Sequence, residues 1–200
     1  MPYYKDIHTL FIHIPKTGGS SLEDYLRTKS TETLLSGHNN TILPTEALQR
    51  KSLQHQSYST LYHYRQLLDI PFDSDMKVIT IVRNPYNRII SDLHWYRLID
   101  ASTSKKCVYD IIQSFVEHDM FDNHNLSQHT FITDEKGELY PNITIFRTES
   151  LTKQLQEHGF LDYTGQEKEN EYFHFLNEDS IRFINRVYQK DFEMFGYTML

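Results

Sequence analysis

Cysteine is almost absent. Cys107 stands alone in 200 residues, so no disulfide can form within the chain and a small, cross-linked secreted scaffold is excluded. Long apolar runs are missing too. The longest near the start is the interrupted Leu10-Phe11-Ile12-His13-Ile14, too short for a signal-peptide core or an anchor. A soluble, cytoplasmic protein with no membrane span is therefore expected. Positive charge is in deficit: 20 Lys and Arg face 27 Asp and Glu, a net charge of −7. That disfavours nucleic acid as a partner, because neutralising phosphates needs a basic surplus, although a local basic pocket is compatible with the sum. Glycine and proline are sparse, and no repeat, low-complexity tract or linker divides the chain, so residues 1–200 read as one domain. Sequons at Asn39, Asn125 and Asn142 would matter only on a secretory route and read as chance.

What is present is a globular composition, 38% hydrophobic and 24% charged. Two short runs rich in β-branched residues, 9–14 and 77–82 (KVITIV), suit strands buried on both faces of a parallel sheet. Each leads through a loop, PKTGG at 15–19 and RNP at 83–85, into a helical pattern, which predicts an α/β fold. The spacing of Ile89, Ile90, Leu93 and Tyr96, and of Val108, Ile111, Ile112 and Phe115, predicts two helices with buried stripes. A third strand is expected at 142–146 with a helix from about Thr148, and a last helix at 179–188 capped by Asn177 or Asp179.

The strand-to-helix turn at 12–21 gathers groups suited to an anion. Backbone N–H groups and a helix N-terminus would point at it, Lys16 adds a full charge, and Thr17, Ser20 and Ser21 add hydroxyls around Gly18 and Gly19. A nucleotide kinase loop places its lysine after the glycines; here Lys16 comes first, which argues against a magnesium-dependent phosphoryl transferase. In the second constellation, RNPYNRIIS at 83–91, Arg83 falls at the C-terminal end of a buried strand and Ser91 two turns into the next helix. Together they could grip a further phosphate, since a guanidinium makes bidentate bonds to its oxygens. Arg88 reads as half of an intradomain ion pair.

The pair PKTGGSS and RNPYNRIIS resembles the 5'-phosphosulfate loop and the 3'-phosphate motif of sulfotransferases that use 3'-phosphoadenosine 5'-phosphosulfate (PAPS). The likeness is greater to the carbohydrate branch, because the late Gly-rich RxxGxxGxWK motif of the cytosolic small-molecule branch is missing. Weaker echoes follow in NHNLSQ at 123–128, FRTESL at 146–151 and YQKDFEMFGY at 188–197. The resemblance implies a P-loop-like, three-layer α/β/α domain around a mainly parallel sheet, and a hydroxylated acceptor, in the first place a carbohydrate. It also implies Lys16 at the leaving oxygen, the backbone of 17–21 on the 5'-phosphate, and Arg83 and Ser91 on the 3'-phosphate, with no metal required. A noncatalytic module that binds PAPS, or its product 3'-phosphoadenosine 5'-phosphate (PAP), is the alternative from another class, and a P-loop-like kinase a weaker one.

In-line transfer also needs a base near the acceptor hydroxyl. Of eleven histidines, similar enzymes point to those between the two ligand motifs, His38, His55 and His63. His55, ahead of the stripe Tyr58, Leu61 and Tyr62, is favoured, and His38 in Gly37-His38-Asn39 is second. His13 is expected to be structural. The close pairs His55/His63 and His124/His129 lack a metal-ligand framework.

Overall fold

The computed structural model describes residues 3–31, 33–34, 52–118, 122–165 and 172–200. The two β-branched runs form adjacent parallel strands, β2 (Thr9–Ile12) and β4 (Lys77–Val82), and β5 (Ile143–Arg147) lies parallel on the far side of β4. Two antiparallel two-residue strands, β1 (Tyr3–Tyr4) and β3 (Thr33–Leu34), extend the other edge, giving the order β3-β1-β2-β4-β5. The fold is α/β with a mainly parallel central sheet, as the strand–loop–helix alternation predicts.

Alternation along the strands divides their side chains between two layers. Leu10, Ile12, Val78 and Val82 pack in one cluster with Leu53, Leu61 of α2 (Tyr58–His63) and Phe131. Phe11, Ile79, Ile81 and Phe146 pack in the other with Leu22 and Leu26 of α1 (Gly19–Arg27) and Leu151 and Leu155 of α5 (Leu151–Glu157). Thr80, the one polar residue inside β4, donates its buried hydroxyl to the Ile12 carbonyl at 2.8 Å. A third cluster joins α3 (Pro85–Trp95), α4 (Lys105–Glu117), α6 (Glu178–Val187) and α7 (Gln189–Phe195) through Ile89, Ile90, Leu93, Val108, Ile112, Phe115, Ile184 and Phe192.

Local chemistry sets the helix starts. Pro85 occupies the first turn of α3 and the Asn84 side chain accepts from the Tyr86 N–H; Ser104 and Asn177 cap α4 and α6 in the same way. The helix expected at Thr148 begins at Leu151, after a tight 3-10 turn, Thr148–Ser150. The expected last helix is followed by a second, α7. Among the described residues, no helix is long and apolar enough to cross a membrane.

Candidate active site

The loop after β2 turns on two left-handed residues, Lys16 (φ 63°) and Gly18 (φ 88°). Gly18 precedes α1 without any side-chain cap, so the first N–H groups of the helix are left for a ligand. Gly19 is sterically required: a Cβ there would lie 2.4 Å from the His13 ring. Two of the predicted hydroxyl donors serve the loop itself. Thr17 is fully buried and donates to the Ile14 carbonyl at 2.8 Å, and Ser21 donates to the Gly18 carbonyl at 2.9 Å and meets the Tyr163 hydroxyl. Of the three, Ser20 faces the cleft.

Arg83 leaves the end of β4 and is buried. Its backbone N–H donates to Gln128 Oε1 and its carbonyl accepts from Gln128 Nε2, both at 2.8 Å, while Nη1 donates to the Lys16 carbonyl at 3.2 Å. Thr148 ties the two loops together, its hydroxyl 2.6 Å from the Thr17 carbonyl and 3.1 Å from that of Val82. Glu149 accepts from the Asn84 N–H and from the Tyr197 hydroxyl, each at 2.8 Å. Asp191, wholly buried, accepts from the N–H groups of Gln128 and His129. The three late sequence echoes are therefore the scaffold behind the Arg83 loop. Arg88 is intradomain as expected, but its partners are carbonyls and not a carboxylate: Pro15 at 3.0 Å, and Leu126 and His124 at 2.8 Å.

Lys16, Gly18, Gly19, Ser20, Arg83 and Ser91 line one cleft of about 470 Å³, at the C-terminal ends of β2 and β4. His13, His94, Trp95, Thr148 and Tyr172 complete it. Lys16 Nζ lies 4.3 Å from the centre of the Trp95 ring, which is 65% exposed. Burial lowers the Lys16 ammonium's pKa, Asp92 opposes that, and the charge of Arg83 adds to it; burial also lowers that of Arg83. Both would favour an incoming anion that restores their charge balance.

Beside the cleft stands a row of three histidines, each with Nδ1 on a carboxylate. His13 meets Glu23 at 2.6 Å, His55 meets Asp122 at 2.8 Å and His124 meets Asp92 at 2.6 Å. The His55 ring stands edge-on to both neighbours, with centroids 5.3 Å from His13 and 4.8 Å from His124. Burial lowers the pKa of His13 and of His55, against the pull of their carboxylates. His38 lies outside the described residues. The sequence-adjacent histidine pairs are not the spatial ones: His55, Asp122 and His124 bring three potential ligand atoms within 4.8 Å, but Asp122 is already bonded to His55. Sequence reasoning missed Asp122, Trp95 and Tyr172, for which no local pattern exists.

A strand-to-helix loop with its lysine first, joined to an arginine at the end of the next parallel strand, is an anion-binding arrangement distinct from a Walker-type loop. The sulfotransferase domain family matches residues 11–159, and the chain belongs to that family. It is thus a transferase that moves sulfuryl groups. No curated protein and no solved structure shows significant similarity to it.

Proposed function

We propose that the chain transfers the sulfuryl group of PAPS to a hydroxyl of a carbohydrate acceptor, with His55 as general base. The observation that carries this reading is the single cleft in which Lys16, the Gly18–Gly19 turn, Arg83 and Ser91 stand together. These residues fit the donor: the uncapped start of α1 and the missing Cβ at Gly19 leave room for a phosphate close to backbone N–H groups, and two cations face the same space. When bound, the donor supplies an activated sulfuryl group on a phosphate leaving group.

Lys16 then offsets charge on the departing oxygen, which acts mainly in the transition state. Arg83 and Ser91 hold the 3'-phosphate, and Gln128 fixes the backbone of Arg83 from both sides. Asp122 holds Nδ1 of His55, so Nε2 is the atom left to take the acceptor proton. Among the described residues, every fully buried side-chain nitrogen or oxygen has a partner. His55 Nε2 makes no hydrogen bond and therefore reaches open space. The exposed face of Trp95 beside Lys16 supports a saccharide acceptor, since an indole stacks on the apolar face of a sugar ring.

Transfer from radiolabelled PAPS to a panel of saccharides, lipids and phenols tests the reading. Label is expected on a saccharide, and His55→Asn should lower turnover by roughly 10²–10⁴ while binding PAP as the native chain does. Transfer only to phenols would overturn the carbohydrate assignment, and an active His55→Asn the base.

A further inference from the structure

His13 has a place that a merely structural residue does not need. It is 4% exposed, stacks on Phe11 at 5.2 Å, and still lines the nucleotide cleft. Its Nδ1 is fixed by Glu23, which is held in turn by Gln54 Nε2 at 3.0 Å and Arg27 at 3.3 Å. Its Nε2 makes no hydrogen bond, and since no fully buried side-chain nitrogen among the described residues lacks a partner, that atom is not sealed in, on a side chain that lines the cleft. The ring is also placed relative to the anion loop: a Cβ of Gly19 would stand over its face, 2.4 Å from both Cδ2 and Nε2. Gly19 opens α1, whose first N–H groups have no side-chain cap. A buried imidazole with an unpartnered nitrogen thus packs against the first residue of the helix that would hold an anion.

We propose that His13 is a donor-binding residue: its doubly protonated ring donates from Nε2 to an anionic oxygen held at the first turn of α1, so nucleotide binding takes up a proton. This rests on the PAPS reading above. The charged and titratable groups facing the ring are Glu23 with Arg27 behind it, His55 edge-on, and Lys16 and Arg83 across the cleft. In the ligand-free protein, burial disfavours the charged form of His13, against the pull of Glu23. An anion reverses that balance: Glu23 and the bound oxygen then sit at opposite ends of one imidazolium, and solvent supplies the proton.

Calorimetry with PAP at pH 6.5, without magnesium, in two buffers of different ionisation enthalpy reads the uptake directly. His13→Asn keeps a donor to Glu23 and has no counterpart of Nε2, while the titration of the phosphates is common to both proteins and cancels. The native chain should take up more protons than His13→Asn and bind PAP about tenfold or more tightly at pH 6, with the gap shrinking towards pH 8. His13→Gln, whose amide reaches the Nε2 position, should recover part of the affinity without the uptake. Nitrogen-15 spectra of the native histidines need no substitution: addition of PAP should convert His13 from the neutral to the doubly protonated form. An unchanged His13 spectrum, or equal uptake and affinity in a folded His13→Asn, would overturn the proposal and leave the donor reading standing. Uptake lost in His55→Asn and kept in His13→Asn would assign the proton to His55 and overturn it too. Failure of the native chain to bind PAP would remove the donor reading and the proposal with it.

Discussion

The proposed mechanism assigns the two cations of the cleft to different stages, and single substitutions separate them. Lys16→Ala should lower turnover at saturating donor by more than about a hundredfold, because a fixed charge at the leaving oxygen is felt mostly as that charge develops. Arg83→Ala should act through weaker PAP binding, since its contact is made equally before and during transfer. Turnover and calorimetric affinity measured on both variants check this; unchanged turnover in Lys16→Ala would remove it from the chemistry. Arg88 is a third case. Its buried guanidinium joins the Pro15 loop to the carbonyls of His124 and Leu126, so it braces both halves of the cleft without touching it. Arg88→Lys cannot reach three carbonyls in a fan and should lose about 2 kcal/mol or more of stability in denaturant unfolding.

At the scale of elements, the sequence showed what is local. The runs of β2 and β4 and the helical stripe of α3 were legible because buried strands and amphipathic helices each have their own period. β1 and β3 were not, since two residues carry no period, and both owe their pairing to tertiary contacts. The candidate site divides the same way. Lys16, Gly18, Gly19, Arg83 and Ser91 lie in contiguous motifs, whereas the carboxylates of the histidine row come from α1, α3 and the loop after α4, and nothing in the sequence joins them. His13, a single histidine after a strand, has no local pattern that marks it as more than structural. Gly19 shows how tightly these parts meet. Alanine normally favours a helix over glycine by about 1 kcal/mol, but here its Cβ would drive into an imidazole that Glu23 prevents from retreating. The clash should win. Gly19→Ala is expected to destabilise the fold by about 1–3 kcal/mol and to weaken PAP binding, and Gly19→Ala in a His13→Ala background should cost much less. Thermal unfolding of the double-mutant cycle checks the coupling; additive losses would mean that the ring and the glycine do not meet.

For the molecule as a whole, the buried histidine–carboxylate pairs make stability depend on pH in one direction. His13 and His55 both have pKa values lowered by burial, so between those lowered values and the ordinary value of roughly 6.5 the unfolded chain binds protons that the folded chain refuses. Where the unfolded state binds more protons, stability falls as pH falls. The two histidines therefore contribute no penalty above about pH 7, and the loss begins as pH drops through about 6.5. Their partners act with the same sign lower down: hydrogen bonds from His13 and His55 hold Glu23 and Asp122 below the usual carboxylate values despite the burial that opposes this. That stability is full above the ordinary carboxylate range and is lost as pH falls through the lowered values. The melting temperature should thus be flat from about pH 7 to 8 and decline steadily below about pH 6.5, before ordinary carboxylates titrate. Replacing His13 and His55 together by asparagine, which keeps a donor for each carboxylate and cannot be protonated, should flatten the decline between pH 6.5 and 5, whatever it does to the plateau. Melting curves at constant ionic strength decide it, and a double variant as acid-sensitive as the native chain would place the titrating groups elsewhere.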